Sequence, residues 1–318
     1  MAELALIIGN GFDVDLGLPS KYSDFAGSPE FHDLARRMND MYFVEERDNS
    51  LVLQIQKASN ESNWFDIEEE IHKYVVNHSS LDEKMVRMVR SEFDSLKRAL
   101  TNYLKRVSKD LEHKADKQRL AYQLKYQLQF SPLSKIDIYF NYTTSELFLE
   151  MPTYHEIGKG LFTYVHGSLR YDDIVLGCDL QPGEQVNRQL SFMYKYNQLH
   201  QATHIARHLL EAREIIFFGH SVNEMDFCYF KEFFKTASAS PTPTRHLTFI
   251  TFDEESERAI KDNIRNQGIS VSDLYSNLET LNFIHTKNYY ANKENEVTKW
   301  NEIMTRLLTP VKRGVKVR

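Results

Sequence analysis

Short, nearly continuous apolar runs recur along this chain at wide intervals, and that recurrence is the strongest constraint on how it folds. Leu4–Ile8, Ile136–Phe140, Leu161–Val165, Ile174–Leu176, Ile215–Phe218 and Leu247–Thr251 read as strands, with a weaker run near Leu281–Ile284. Runs without apolar–polar alternation are what strands buried on both faces look like, as in a parallel sheet. Between several of them lie helical patterns, at Gln198–Ala212, Glu224–Thr236 and Glu254–Asn266. A last helix, Glu294–Leu308, places Val297, Trp300, Ile303, Met304 and Leu307 on one face and should close the domain. The alternation predicts an α/β, doubly wound core.

From about residue 30 to residue 130 the pattern changes. The stretch is charged, poor in Gly and Pro, and spaced at i, i+4, as in Ile67, Ile71 and Val75 and again in Met85, Met88 and Phe93. It predicts a large helical insertion between the first and second core strands. No Pro- or Ser-rich linker sets it apart, so it should pack onto the core. Asn63 and Asp66 read as the N-cap and first-turn acid of NWFDIEEEIHKYVV. One domain is expected over residues 1–310, with 311–318 a basic tail.

A net charge of −6 leaves no global positive field to hold nucleic acid or an anionic membrane. Two cysteines, Cys178 and Cys228, in no C-x-x-C pair, exclude a disulfide scaffold and a thiolate zinc site and suit a reducing cytosol. No run approaches the roughly 18 apolar residues of a membrane span. A cytoplasmic protein is expected.

Four short stretches stand at the ends of the expected strands: GNGFD (9–13), FNYTTSE (140–146), VHGSL (165–169) and FGHSVNEMDF (218–227). In a parallel sheet such ends cluster at one edge, where ligands gather. Gly9 and Gly11 allow close backbone approach to a pyrophosphate, with amide N–H groups from Asn10 or its neighbours. The complete G-x-G-x-x-G fingerprint is absent because Val14 occupies the third glycine position, and no G-K-[ST] exists, so hydride transfer and P-loop chemistry are disfavoured. Asn10-Gly11 reads as a pocket loop rather than a hairpin turn, with GLPSKYSDF as a wall that begins a helix near Tyr22. His166 has the chemistry of a general base. Asn141 can hold a water or a ribose hydroxyl. Asp226 is a helix first-turn acid or the partner of a ribose or of an orienting histidine. His200, His204 and His208 fall at i, i+4 and i+8 on one helical face, but no H-E-x-x-H accompanies them, and no metal is expected.

The set GNGFD…GLPSKYSDF, NWFDIEEE, FNYT, VHGSL and FGHSVNEMDFCYF, in this order from residue 4 to about 230, resembles the bacterial abortive-infection AbiH family of phage-defence proteins. AbiH proteins in turn resemble distant members of the sirtuin-like, NAD-binding fold. The resemblance implies a Rossmann-like, mostly parallel sheet with NAD as substrate or ligand. It matches Gly9 and Gly11 to the phosphate loop, Asn141 to the loop asparagine and His166 to the base; Asn10 and Asp13, in the same stretch, are read as further nucleotide contacts. Gly219 and Ser221 become a later nucleotide-contacting loop, with Asp226 beside it. Two departures stand out. Thr143 occupies a position where sirtuin-like proteins often have Asp, and the four-cysteine zinc module is missing, which argues against deacetylation.

The reading that follows is a phage-defence effector that cleaves the nicotinamide–ribose bond of NAD, with Asn141 and His166 as its catalytic residues. A nucleotide-sensing or protein-interaction component is the alternative, favoured by Thr143. The insertion would then meet a protein partner or a second copy through its WFDIEEE-type surface. Nuclease activity, which needs clustered carboxylates in a basic groove, fits less well.

Overall fold

The computed structural model describes residues 2–61, 65–78, 80–111, 115–143, 160–180, 183–185, 187–198 and 204–309. Six strands form one sheet: β1 (Leu4–Ile8), β2 (Lys135–Tyr139), β3 (Gly160–Tyr164), β4 (Glu214–Phe218), β5 (Thr242–Thr251) and β6 (Leu278–His285). Their order is β3-β2-β1-β4-β5-β6, and every pairing is parallel. Each expected strand but one therefore exists, shifted by a residue or lengthened.

The exception is Ile174–Leu176. It is buried, yet it lies outside the sheet. Its polar groups go elsewhere: the Val175 N–H donates to the His166 carbonyl at 2.7 Å, and Gln198 Nε2 donates to the Leu176 carbonyl at 2.5 Å. An apolar run reports burial, and burial does not require a ladder.

Alternate residues of β1 enter two separate cores. Leu4, Leu6 and Ile8 join Tyr139, Tyr164 and Phe218 on one face, whereas Ala5 and Ile7 join Ile138, Phe217 and Phe249 on the other. The period-2 geometry of a strand with both faces covered produces this split, and it is why LALII carries no polar residue.

Between β1 and β2 the described chain is helical and packs on the first of these faces. Its longest helix, Glu83–Leu111, buries Val89, Phe93, Leu96, Leu100, Leu104 and Val107 at helical spacing. Each such side chain contributes about 1.5–3 kcal/mol of burial. In the helix Ile67–Asn77, Asp66 is the N-cap and accepts from the Glu68 N–H at 2.8 Å; the expected cap Asn63 lies outside the described residues.

Two other helices start later than their patterns suggest. The helix expected from Gln198 runs only over Ile205–Glu211, because His204 takes a left-handed conformation (φ +70°) that does not continue a helix. His204 and His208 therefore do not share a helix as a ligand pair, and His200 lies outside the described residues. The helix expected from Glu224 is Phe227–Ala239; before it, the Asn223 side chain accepts from the Asp226 N–H at 2.9 Å and holds a turn instead. Glu254–Asn266 and Glu294–Leu308 form as read. Among the described residues, no helix is long and apolar enough to cross a membrane.

Candidate functional site

Ile8, Tyr139, Tyr164 and Phe218 lie in register across β1 to β4, so the four loops that follow leave the sheet at one level. The strand order changes direction between β1 and β4, the kind of point at which open α/β sheets bind ligands beyond the carboxyl ends of their strands.

The two glycine loops meet there backbone against backbone. Asn10–Asp15 is a short helix directly after β1, not a hairpin arm. The Gly9 N–H donates to the Phe218 carbonyl at 3.0 Å and the Gly11 N–H to the Gly219 carbonyl at 2.9 Å. A Cβ on Gly9 would stand 2.5 Å from the Gly219 oxygen. One on Gly219, which has φ +64°, would stand 2.3 Å from both Gly11 C and Phe12 N. Close crossing of loops thus demands Gly9, Gly11 and Gly219, and the N–H groups of Gly9 and Gly11 point at protein carbonyls rather than outward. Asn10 is exposed, with its side-chain oxygen accepting from Ser20 Oγ at 2.5 Å. Ser221 is exposed too, and its carbonyl accepts from Asn263 Nδ2 at 3.0 Å. Neither joins the buried group.

The first turn after β1 carries Asp13 inward, where it is fully buried. Thr143, from the loop after β2, donates its hydroxyl to Asp13 Oδ2. Burial pushes the Asp13 carboxyl up to about 7, against the opposing pull of Thr143 and of the neighbouring Asn141 amide. Asn141 lies close enough to act on Asp13, but among the described residues neither of its amide atoms has a hydrogen-bond partner.

His166, two residues past the end of β3, is buried, and its Nε2 lies 3.0 Å from Asp226 Oδ1. Burial alone would raise the Asp226 carboxyl, but His166, His220 and Lys195 hold it well below the usual carboxylate range. An ionised carboxylate only accepts, so Nε2 of His166 carries the proton and Nδ1 is the lone-pair nitrogen of the neutral ring. That Nδ1 is buried without a hydrogen-bond partner among the described residues. The ring is fixed from behind by Phe140, edge to face at 5.6 Å between centroids. Asp226 occupies the N-cap of Phe227–Ala239 but caps nothing with its side chain, and its carboxylate meets His166 instead.

Three further charged or phenolic groups close the site, and sequence reading did not assign them to it. Lys195 is buried and donates to Glu68 Oε2 at 2.7 Å. Burial would lower the Lys195 ammonium, but Glu68, Asp226 and Tyr142 raise it. Glu68 is raised by burial, against Lys195 and His166. Tyr142 donates to the Val175 carbonyl at 3.2 Å and meets the Tyr22 hydroxyl at 3.3 Å, so the GLPSKYSDF segment does wall this edge. Glu68 belongs to the WFDIEEE stretch expected to face a partner. It turns inward instead, because the buried Lys195 requires a counter-charge.

Asp13 thus meets Asn141 and Thr143, and His166 meets Asp226, all beyond the carboxyl ends of β1 to β4. Among the described residues, Asp13 Oδ1, both amide atoms of Asn141 and His166 Nδ1 are buried without a hydrogen-bond partner. Folded proteins rarely leave such atoms unpaired, and such atoms mark places for a ligand or an ordered water. The family model for bacteriophage abortive infection AbiH matches residues 5–246. The chain belongs to the AbiH family. That places it in phage abortive infection, and the matched span contains every residue of the AbiH site described above, from Gly9 to Asp226. No curated protein matches the chain. Among the described residues, no group of three or more His, Cys, Asp or Glu is arranged to hold a metal ion.

Proposed function

We propose that this AbiH protein binds NAD or a related nucleotide on a sirtuin-like, Rossmann-like core and hydrolyses the nicotinamide–ribose bond. The observation that carries the reading is His166, whose Nε2 is held by Asp226 while its buried Nδ1 has no hydrogen-bond partner among the described residues. The reversal of strand order between β1 and β4 supports a nucleotide there.

In this reaction the bond from ribose C1′ to the pyridinium nitrogen breaks with its electron pair going to nitrogen. Nicotinamide departs neutral, so no general acid is required. Water attacks C1′ and its proton passes to His166 Nδ1. Asn141, with a donor and an acceptor both unused, places the water or a ribose hydroxyl. Asp13, ionised above about pH 7, offsets the positive charge that develops on the ribosyl centre. Asp226 keeps the His166 ring in the working tautomer and steadies its protonated form.

Chromatography of NAD after incubation with wild type and with His166→Ala tests this. The expected result is nicotinamide release by wild type and a loss of about 100- to 10,000-fold in the variant. Equal turnover by both proteins rejects His166 as the base. A second reading, nucleotide sensing without turnover, is favoured by the closed glycine loops, whose Gly9 and Gly11 N–H groups are already bonded to backbone. Tight NAD binding by wild type with every nucleotide left intact selects it.

A further inference from the structure

Asp226 has two imidazoles, not one. His220 Nε2 lies 3.5 Å from Asp226 Oδ2, while His166 faces the other oxygen, Oδ1. The other ring nitrogen of His220 is also occupied: Nδ1 accepts from the Val222 N–H at 2.9 Å. A nitrogen that accepts carries no proton, so the proton of the neutral His220 ring is on Nε2, facing the carboxylate.

The backbone is distorted to make this contact. Val222 is β-branched, fully buried and has φ +52°, a conformation that such a residue rarely adopts. That turn brings its N–H onto His220, and a strained residue persists only where its surroundings over-determine it. The ring is packed edge to face against Phe140 at 4.4 Å and Phe230 at 5.2 Å between centroids. Phe140 touches His166 as well, so one phenyl ring spaces the two imidazoles.

We infer that His220 is a positioning residue: its Nε2–H, fixed by the strained Val222 N–H on the far side of the ring, holds Asp226 in the orientation that directs His166. The order of action is Val222 to His220, His220 to Asp226, Asp226 to His166. His220 touches no reacting atom in this scheme. The kinetic arm of the proposal rests on the hydrolytic reading given above, and the spectroscopic arm does not.

Two substitutions separate the contacts. His220→Asn keeps an acceptor where Nδ1 was, so Val222 stays satisfied, but it is too short to reach Asp226. His220→Gln puts an amide donor back where Nε2 was. In protein labelled with 15N-histidine, the carboxylate-bonded Nε2–H of His166 should be visible in wild type, lost to solvent exchange in His220→Asn and restored in His220→Gln. With NAD, kcat should fall at least tenfold in His220→Asn with KM within about twofold, and His220→Gln should recover most of it. Persistence of the His166 Nε2–H signal in a folded His220→Asn overturns the inference. So does wild-type His220 protonated on Nδ1, a result that needs no variant to fold. A catalytically silent wild type in which the signal still follows His220 rejects hydrolysis and leaves the positioning role standing.

Discussion

Two buried ion pairs in this molecule look alike on paper and differ in where they stand. Lys125, on the helix Leu120–Leu128, donates to Asp137 Oδ2 at 2.6 Å and to the Tyr139 hydroxyl at 3.0 Å, and so ties that helix to β2. His166 and Asp226, at 3.0 Å, join the loop after β3 to the turn beyond β4. The members of both pairs are almost fully buried. The lysine pair is directed at protein groups that hold the sheet to its helical layer. The histidine pair stands beyond the carboxyl ends of the strands, where ligands gather in open α/β sheets. Burial of charge is therefore a poor marker of function here, and place in the topology is a better one.

The contrast can be broken most directly at its two centres. His166→Ala should lower NAD turnover by about 100- to 10,000-fold in protein that still folds, with His220 and Lys195 left to face Asp226. Asp137→Ala should do the reverse, costing about 3–5 kcal/mol of stability by leaving Lys125 buried without its carboxylate. A His166→Ala protein that is active, or an Asp137→Ala protein of full stability, would erase the distinction.

Asp13 sharpens the comparison through pH. Its folded-state pKa of about 7 lies above the ordinary 3.8, so between those values the folded chain binds a proton that the unfolded chain has lost. Stability from this group is therefore present at low pH and declines as pH rises toward 7. Between pH 5 and pH 8 the wild type should lose about 2–3 kcal/mol more than Asp13→Asn, read from denaturant melts at each pH. The site would then be a destabilised region that the fold tolerates, and a parallel fall in both proteins would deny it.

Gly219→Ala tests the loop crossing. Its Cβ would meet the Gly11 and Phe12 backbone at 2.3 Å with φ +64°, and a loss of about 1–3 kcal/mol is expected. The smallest effect belongs to Thr143→Val. Removing its donor from Asp13 should move the acid limb of the kcat/KM profile about one pH unit toward alkali. No movement would mean that Asp13 does not titrate in the working cycle.

Much of the scaffold was legible because its signals are local. LALII, IDIY and EIIFF show as strands since each is buried on both faces, and the helices Glu254–Asn266 and Glu294–Leu308 begin and end where their patterns do. The same signal misled at Ile174–Leu176, where burial comes from packing along His166 rather than from a ladder. His166, Asn141 and Asp226 were legible as strand-end polar residues. His220 stood in the same FGHSVNEMDF stretch but offered no reason to prefer it over its neighbours. Lys195, a single cation between two tyrosines, offered none at all.

What the sequence by itself determined is the α/β class, the succession of strands, the loops that end them and the AbiH membership those motifs carry. Apolar runs and helical spacing record whether a residue faces a core, which is settled within a few residues along the chain. Only the tertiary structure decided who meets whom at the site. Thr143 and Asp13 are 130 residues apart, Lys195 and Glu68 are 127 apart, and His166 and Asp226 are 60 apart. No periodicity spans such distances. These partners are chosen by the order in which six parallel strands lie side by side, and by the three glycines that let two of their loops cross at contact distance.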